Sequence, residues 1–321
     1  MLAVFTAALA ASAGAAPFTL ERALQEARRV DPQAALPIVE LPAGVTVRED
    51  VAYATIHDVA LHLELYRPAG DGPFPAVILV HGGGWESGDR AMERAFAIRL
   101  AGEGFVAVPV SYRLGPGGRF PRSLHDLKAA VRWLRAHAAE WDVEPDAIGA
   151  VGGSAGGQLV ALLGATNDLA RFEGDGGHPE QSSSVQAVVS IDGLADFTAA
   201  ELLDQQRNSP SAPTRHLGGP FQDAPDTWRD ASPLTQVGLR SAPMLFIKSD
   251  APSPLLPGRE EMSRRLSMMG IPSEVLTMEG APHVFWLVEP WFEPTVQETV
   301  RFLKTYLDAG EPVSPAAATT R

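Results

Sequence analysis

The sequence predicts an α/β protein built on a doubly wound, mostly parallel eight-stranded sheet, with a helical insertion after strand 6. Three observations carry that prediction. Short continuous apolar runs such as Ala76 to Val80 and Phe105 to Val110 have the pattern of parallel strands covered on both faces. Segments with apolar residues at helical spacing separate the later runs, and strand–helix alternation of this length implies a doubly wound sheet. The composition of the 321 residues, 45% hydrophobic and 20% charged with no cysteine, is that of a protein held by a packed core and not by disulfides or thiolate zinc sites.

Taken in order, Glu21 to Arg29 reads as a short helix and Asp31 to Ala43 as a Pro-containing connector. Val45 to Thr55 and Leu61 to Tyr66 alternate apolar with polar side chains, as two half-buried strands of an antiparallel hairpin would. Strand Ala76 to Val80 is followed by helix Ala91 to Gly102, which ends where Gly102 and Gly104 suit a C-cap. Strand Phe105 to Val110, helix Ser123 to Glu140, strand Ala147 to Val151, helix Ala155 to Gly164 and strand Val185 to Ile191 continue the alternation. Strand Met244 to Lys248, helix Arg259 to Met269, strand Ser273 to Met278 and helix Thr295 to Leu307 complete it.

The organisation expected is an export signal over residues 1–15, an N-terminal extension over 16–48, one α/β domain over 49–308 and a disordered tail over 309–321. Leu2 to Ala16 is an apolar, Ala-rich run of signal-peptide length that ends in small residues fitting an A-x-A cleavage site, so a periplasmic or secreted protein is expected. Its n-region has no Lys or Arg, which leaves a frayed apolar N-terminus as the alternative. Residues 196–237 break the alternation and are rich in Pro, Asp, Gln and Ser, the composition of a lid over one end of the sheet. A net charge of −13 argues against nucleic-acid binding, which needs clustered Lys and Arg. No run approaches the ~20 apolar residues of a membrane span. The histidine spacings offer no metal site, and no dinucleotide or P-loop glycine motif follows a strand, so no cofactor is expected. Oligomeric state is not legible.

In an open α/β sheet ligands bind outside the carboxyl ends of the strands, and three loops there are unusual. Gly152-Gly153-Ser154-Ala155-Gly156 lies between a strand and a helix, the setting in which a sharp turn holds an exposed nucleophilic serine. A glycine-rich turn or an anion-binding helix start would read the same way in isolation. His81-Gly82-Gly83-Gly84-Trp85 follows a buried strand; with no side chains in the way, the N–H groups of Gly83 and Gly84 can join that of Ala155 in an oxyanion hole. Gly280-Ala281-Pro282-His283 follows the last strand and places His283 where it can take the serine proton. His57, His62, His125, His137, His178 and His216 fall on edge strands, helix faces or the insertion, and His81 reads as a support for the glycine loop.

With these residues in view, about Glu49 to Leu307 resembles the α/β-hydrolase superfamily, in the esterase/lipase branch that contains bifunctional feruloyl and acetyl-xylan esterases, and more distantly the hormone-sensitive-lipase-like esterases. The resemblance rests on the two glycine motifs, Ser111-Tyr112-Arg113-Leu114, Phe120-Pro121 with Asp126, Ser184 to Val189, and His283 with Phe285. It implies a sheet of the α/β-hydrolase type and hydrolysis of a carboxylic ester through an acyl-serine. The sequence departs from that family at the acid. Ser253 stands where the family carries Asp after the seventh strand, so Asp250, three residues earlier, is the first candidate, with Asp192 at the end of the sixth strand and Glu260 as alternatives.

The mechanism expected is acyl transfer by Ser154 and His283, with Gly83, Gly84 and Ala155 holding the oxyanion. The resemblance, with export, implies an acetyl, feruloyl or methyl ester on a plant cell-wall polysaccharide, or a small-molecule ester. Trp85 and Trp286 are candidates for a sugar-stacking pocket, although packing is the commoner role for Trp. The missing Asp at position 253 motivates a rival reading, a non-catalytic relative that binds a ligand.

Overall fold

The structure, a computed structural model, describes residues 17–56, 58–206, 211–250 and 256–307. The expected export signal and tail therefore lie outside the described residues, as do His57 and Ser253. In chain order the elements are α1 (Leu20–Ala27), β1 (Thr46–Ile56), β2 (Val59–Arg67), β3 (Phe74–Val80), α2 (Arg94–Gly102), β4 (Val106–Val110), α3 (Arg122–Ala136), β5 (Val143–Gly153), α4 (Ala155–Ala165) and β6 (Ala187–Ile191). There follow α5 (Ala200–Gln206), α6 (Ala212–His216), α7 (Pro225–Ala231), α8 (Pro233–Gln236), β7 (Met244–Ser249), α9 (Arg259–Met268), β8 (Ser273–Met278) and α10 (Phe292–Leu307).

The eight strands form one sheet in the order β1-β2-β4-β3-β5-β6-β7-β8. β1 and β2 pair antiparallel, β2 meets β4 antiparallel, and every later pairing is parallel. This is the α/β-hydrolase fold, with the antiparallel edge where the alternating N-terminal segments put it. Because side chains alternate across a strand, β3 feeds two cores. Ala76, Ile78 and Val80 face the layer of α3, α4 and α9, while Val77 and Leu79 face α1, α2 and α10. All five are fully buried, which is why the run carries no polar residue.

Several boundaries move for local reasons. Strand β5 starts four residues earlier than Ala147, because Glu144, Pro145 and Asp146 occupy its half-exposed beginning and interrupt the apolar pattern without ending the strand. The segment before α2 is a 3₁₀ turn, Arg90–Glu93, entered through Asp89, whose side chain accepts from the Ala91 amide at 2.7 Å. Helix α10 begins at Phe292, with Pro294 in the first turn where its missing N–H costs nothing.

The described part of the insertion carries α5 to α8. Phe197, Leu202, Trp228, Ala231 and Leu234 bury against α4 and join the same core as α3 and α9. It therefore contributes core surface of its own, beyond what its polar composition implied.

Candidate active site

Between β5 and α4 the chain turns so sharply that Ser154 takes φ 55° and ψ −117°, a region that side-chain-bearing residues rarely occupy. The turn is held from two sides. The Ser154 amide donates to Ile191 O on β6 at 2.8 Å, and the flanking glycines admit backbone that a Cβ would exclude: one on Gly156 would lie 2.0 Å from Val80 O. Ala155 is the first residue of α4, so its amide is among the first-turn donors without an intrahelical partner.

The glycine loop after β3 abuts this turn. A Cβ on Gly82 would sit 3.2 Å from Ser154 Cβ, and the following residues Gly83, Gly84 and Trp85 all have positive φ (119°, 63° and 62°). Gly83 O accepts from the amides of Glu86 and Ser87, which closes the loop on itself. Beneath it His81 is buried and stacked on Tyr112 at 4.6 Å, with Nδ1 2.8 Å from Gly82 O, while Tyr112 Oη donates to His81 O. Burial pushes the His81 pKa down to about 4, so its ring is neutral at pH 7 and serves the loop as an uncharged strut.

His283 follows β8 and closes the constellation. Its Nε2 lies 2.9 Å from Ser154 Oγ, and its Nδ1 lies 2.8 Å from Asp192 Oδ2. The acid is therefore Asp192 and neither Asp250 nor Glu260. Asp250 is exposed at the end of β7 and accepts from the Gly280 amide at 2.8 Å, tying the β7 loop to the loop that carries His283. Glu260 points to Lys248. Asp192 reaches the histidine because it ends β6 with φ 44°, a left-handed kink, while its amide still donates to Ile247 O at 2.7 Å. Its side chain is wholly buried.

A buried carboxylate must be satisfied, and four donors do so. Ser249 Oγ donates to Oδ2 at 2.8 Å, the Ser249 amide to Oδ1 at 3.2 Å and Arg259 Nη1 to Oδ1 at 2.5 Å, with His283 the fourth. Burial by itself would raise the Asp192 pKa, but the His283 hydrogen bond and charge, the Arg259 charge and the Ser249 hydrogen bond outweigh it and hold the carboxyl below its ordinary range.

Arg259 is the site residue that sequence reasoning missed. It sits at the first position of α9, where a cation meets the positive end of the helix dipole unfavourably. That mismatch was the available signal; its partner lies 67 residues away. Removing one member of a buried ion pair costs about 3–5 kcal/mol. Arg259→Leu should lower the urea midpoint accordingly, with Arg259→Lys losing less. The pH dependence follows from the depressed pKa of Asp192. Its contribution to stability is present above the unfolded carboxyl value of ~3.9 and is lost as pH falls through the lower folded value. Without Arg259 that folded value rises toward ~3.9, so acid unfolding of Arg259→Leu should set in at higher pH than in the wild type.

Trp85 and Trp286 do not form an open sugar platform. The Trp85 ring packs between His216 (4.8 Å) and Phe197 (5.5 Å), and its Nε1 donates to Gln158 Oε1 at 2.9 Å, while Gln158 Nε2 donates to Ala231 O. Trp286 is buried under Gly153 and turns an edge to His283 at 5.8 Å. Both rings position the loops by packing, which leaves neither face for a ligand to cover. Glu93 is buried and has its carboxyl pushed up to about 8 by that burial. Its carboxyl is therefore mostly protonated at pH 7.

The comparisons with known proteins agree with this geometry. The family described as BD-FAE matches residues 63–258. Esterase LipC of Mycobacterium tuberculosis (strain ATCC 25618 / H37Rv) is 32% identical over 221 residues, which cover 68% of this chain and 54% of that protein. The chain spans about half the length of the curated relatives it matches first. Among solved structures, a bifunctional GH43-CE of Bacteroides eggerthii is 27% identical with TM-score 0.69, over 81% of this chain and 38% of that one. The butyrate-bound Est2 esterase of Thermogutta terrifontis is 26% identical with TM-score 0.68, over 85% and 100% of the two chains.

Proposed function

This chain belongs to the BD-FAE family, and on that premise we propose that it is a serine carboxylesterase whose natural substrate is an ester on a plant cell-wall polysaccharide. The observation that carries the hydrolase reading is the unbroken line Ser154 Oγ, His283 Nε2, His283 Nδ1, Asp192 Oδ2, with steps of 2.9 and 2.8 Å across the ring. Ser154 Oγ attacks the ester carbonyl while His283 Nε2 takes its proton. Asp192 holds the Nδ1–H tautomer and stabilises the imidazolium. The amides of Gly83, Gly84 and Ala155 receive the oxyanion of the tetrahedral intermediate. As that intermediate collapses, His283 returns the proton to the leaving alcohol and Ser154 keeps the acyl group. Water, deprotonated by His283, then releases the acid and regenerates the serine.

The motive for a non-catalytic reading was a missing acid, and it lapses because Asp192 supplies the carboxylate from the neighbouring strand. The polysaccharide part of the proposal is supported by the family and by the likeness to a GH43-CE enzyme. Initial rates on p-nitrophenyl acetate, acetylated xylan, a feruloyl arabinoside and methyl-esterified pectin test both parts. We expect turnover of p-nitrophenyl acetate and of at least one of the three cell-wall esters. Turnover of the nitrophenyl ester alone would overturn the polysaccharide reading, and no turnover of any ester would overturn the hydrolase reading.

A further inference from the structure

The helix that starts at the nucleophile carries one polar side chain to which the acyl-transfer mechanism gives no role. All eleven residues of α4 are buried, and the only hydrogen-bonding side chain among them is Gln158. A buried amide costs free energy unless its oxygen and its nitrogen are both bonded, so an apolar residue would be the simpler choice at this position. Gln158 satisfies both ends, and does so on two different pieces of chain. Its Oε1 accepts from Trp85 Nε1 in the glycine loop at 2.9 Å, and its Nε2 donates to Ala231 O in the insertion at 3.0 Å. Its own backbone N–H donates to Ser154 O at 3.0 Å, one turn back along the helix.

Trp85 lies inside the turn Gly83 to Ser87, which the amides of Glu86 and Ser87 close on Gly83 O at 3.2 and 3.1 Å. Its φ of 62° is a conformation that a bulky residue keeps only where its surroundings fix it. The two residues before it, Gly83 and Gly84, are glycines and resist rotation least. The direction of their amides therefore depends on what holds Trp85. Its carbonyl accepts from the Gly115 amide at 2.8 Å, and its ring packs between His216 and Phe197. Packing alone lets an indole turn within its own plane, whereas a hydrogen bond from its edge fixes that rotation. Gln158 supplies the bond from the same helix that begins at Ser154. At its other end the amide holds Ala231, the last residue of α7, whose Trp228 packs edge-on against Phe197 at 6.1 Å.

We propose that Gln158 is a positioning residue for the oxyanion hole. Its side-chain amide sets the Trp85 indole, and through it the Gly83 and Gly84 amides, at a fixed place relative to Ser154. The inference rests on the esterase reading and deepens it. Glutamine suits the position because one end must accept from an indole N–H and the other must donate to a carbonyl.

Kinetics on p-nitrophenyl acetate, well below the unfolding temperature of each variant, test the role. Gln158→Met keeps the length of the side chain but removes the donor and leaves only a weak sulfur acceptor. Its kcat should fall by about tenfold, short of the roughly 10²–10³ that deletion of an oxyanion donor costs. KM should stay within about twofold, because the oxyanion exists only after attack. Gln158→Glu offers the indole an acceptor in either protonation state and should retain more of kcat than Gln158→Met. Trp85→Phe breaks the same bond from its other end, so the double variant should lose about as much as either single variant. Trifluoroacetone reads the hole without turnover. Ser154 Oγ bonds its carbonyl carbon, the carbonyl electron pair moves onto oxygen as the oxyanion, and His283 takes the serine proton. Its Ki should rise in Gln158→Met by the factor that kcat falls, and Trp85→Phe carries the same comparison should Gln158→Met not fold. Wild-type kcat and Ki in these variants, a raised KM at unchanged kcat, or losses that multiply in the double variant would overturn the positioning role and leave the esterase reading standing. A wild type that neither hydrolyses p-nitrophenyl acetate nor binds trifluoroacetone would overturn both.

Discussion

Ser154→Ala is expected to lower kcat on p-nitrophenyl acetate by about 10⁶-fold, the scale seen when a serine nucleophile is removed from an intact triad. The residual rate should come from the oxyanion amides and substrate binding alone, so KM should change little. The fold should be unaffected, because the strain at this position is in the backbone and alanine carries a Cβ as serine does; the flanking glycines and the Ser154 amide bond to Ile191 O remain. Thermal unfolding of the variant within a degree or two of wild type is the control. A variant that retains more than about a hundredth of wild-type kcat would show that some other group attacks the ester.

Asp192→Asn is expected to lower kcat by about 10⁴-fold, because an amide facing Nδ1 favours the tautomer that cannot accept the serine proton and cannot stabilise the imidazolium. Its companion Asp250→Asn should stay within a few-fold of wild type. An asparagine oxygen can still accept from the Gly280 amide, which is the contact Asp250 makes. The two variants together distinguish the strand-6 acid from the strand-7 loop residue. Asp192→Asn should also be less stable, because Arg259 keeps its charge and loses its counter-ion. Its kinetics therefore need to be measured well below its unfolding temperature.

The strands and both glycine loops were legible because each rests on a local signal. An apolar run such as Ala76 to Val80 marks a strand buried on both faces, and a serine flanked by glycines at a strand–helix junction marks a forced turn. The acid was not legible in the same way. Asp192 and Asp250 both leave the carboxyl ends of adjacent strands, and the choice between them depends on a single left-handed residue at the end of β6 and on where the β7 loop turns. Neither is encoded in spacing. Arg259 was hidden by distance, since nothing near it in sequence announces a carboxylate on another strand. The role of the two tryptophans stayed open between sugar stacking and packing because indole suits sugars and cores alike. Only the partners of Trp85, namely His216, Phe197 and Gln158, decide between the two.

The central claim is that Ser154 is a nucleophile poised by His283 and Asp192, and covalent trapping tests it most directly. Diethyl p-nitrophenyl phosphate should react once, its phosphorus bonding to Ser154 Oγ as one p-nitrophenolate leaves. Intact mass followed by peptide mapping should then find a single diethylphosphoryl group on the peptide containing Ser154, with none in Ser154→Ala and slow labelling in Asp192→Asn. A label on any other residue, or hydrolysis of p-nitrophenyl acetate by an enzyme that the phosphate ester neither labels nor inhibits, would contradict the account.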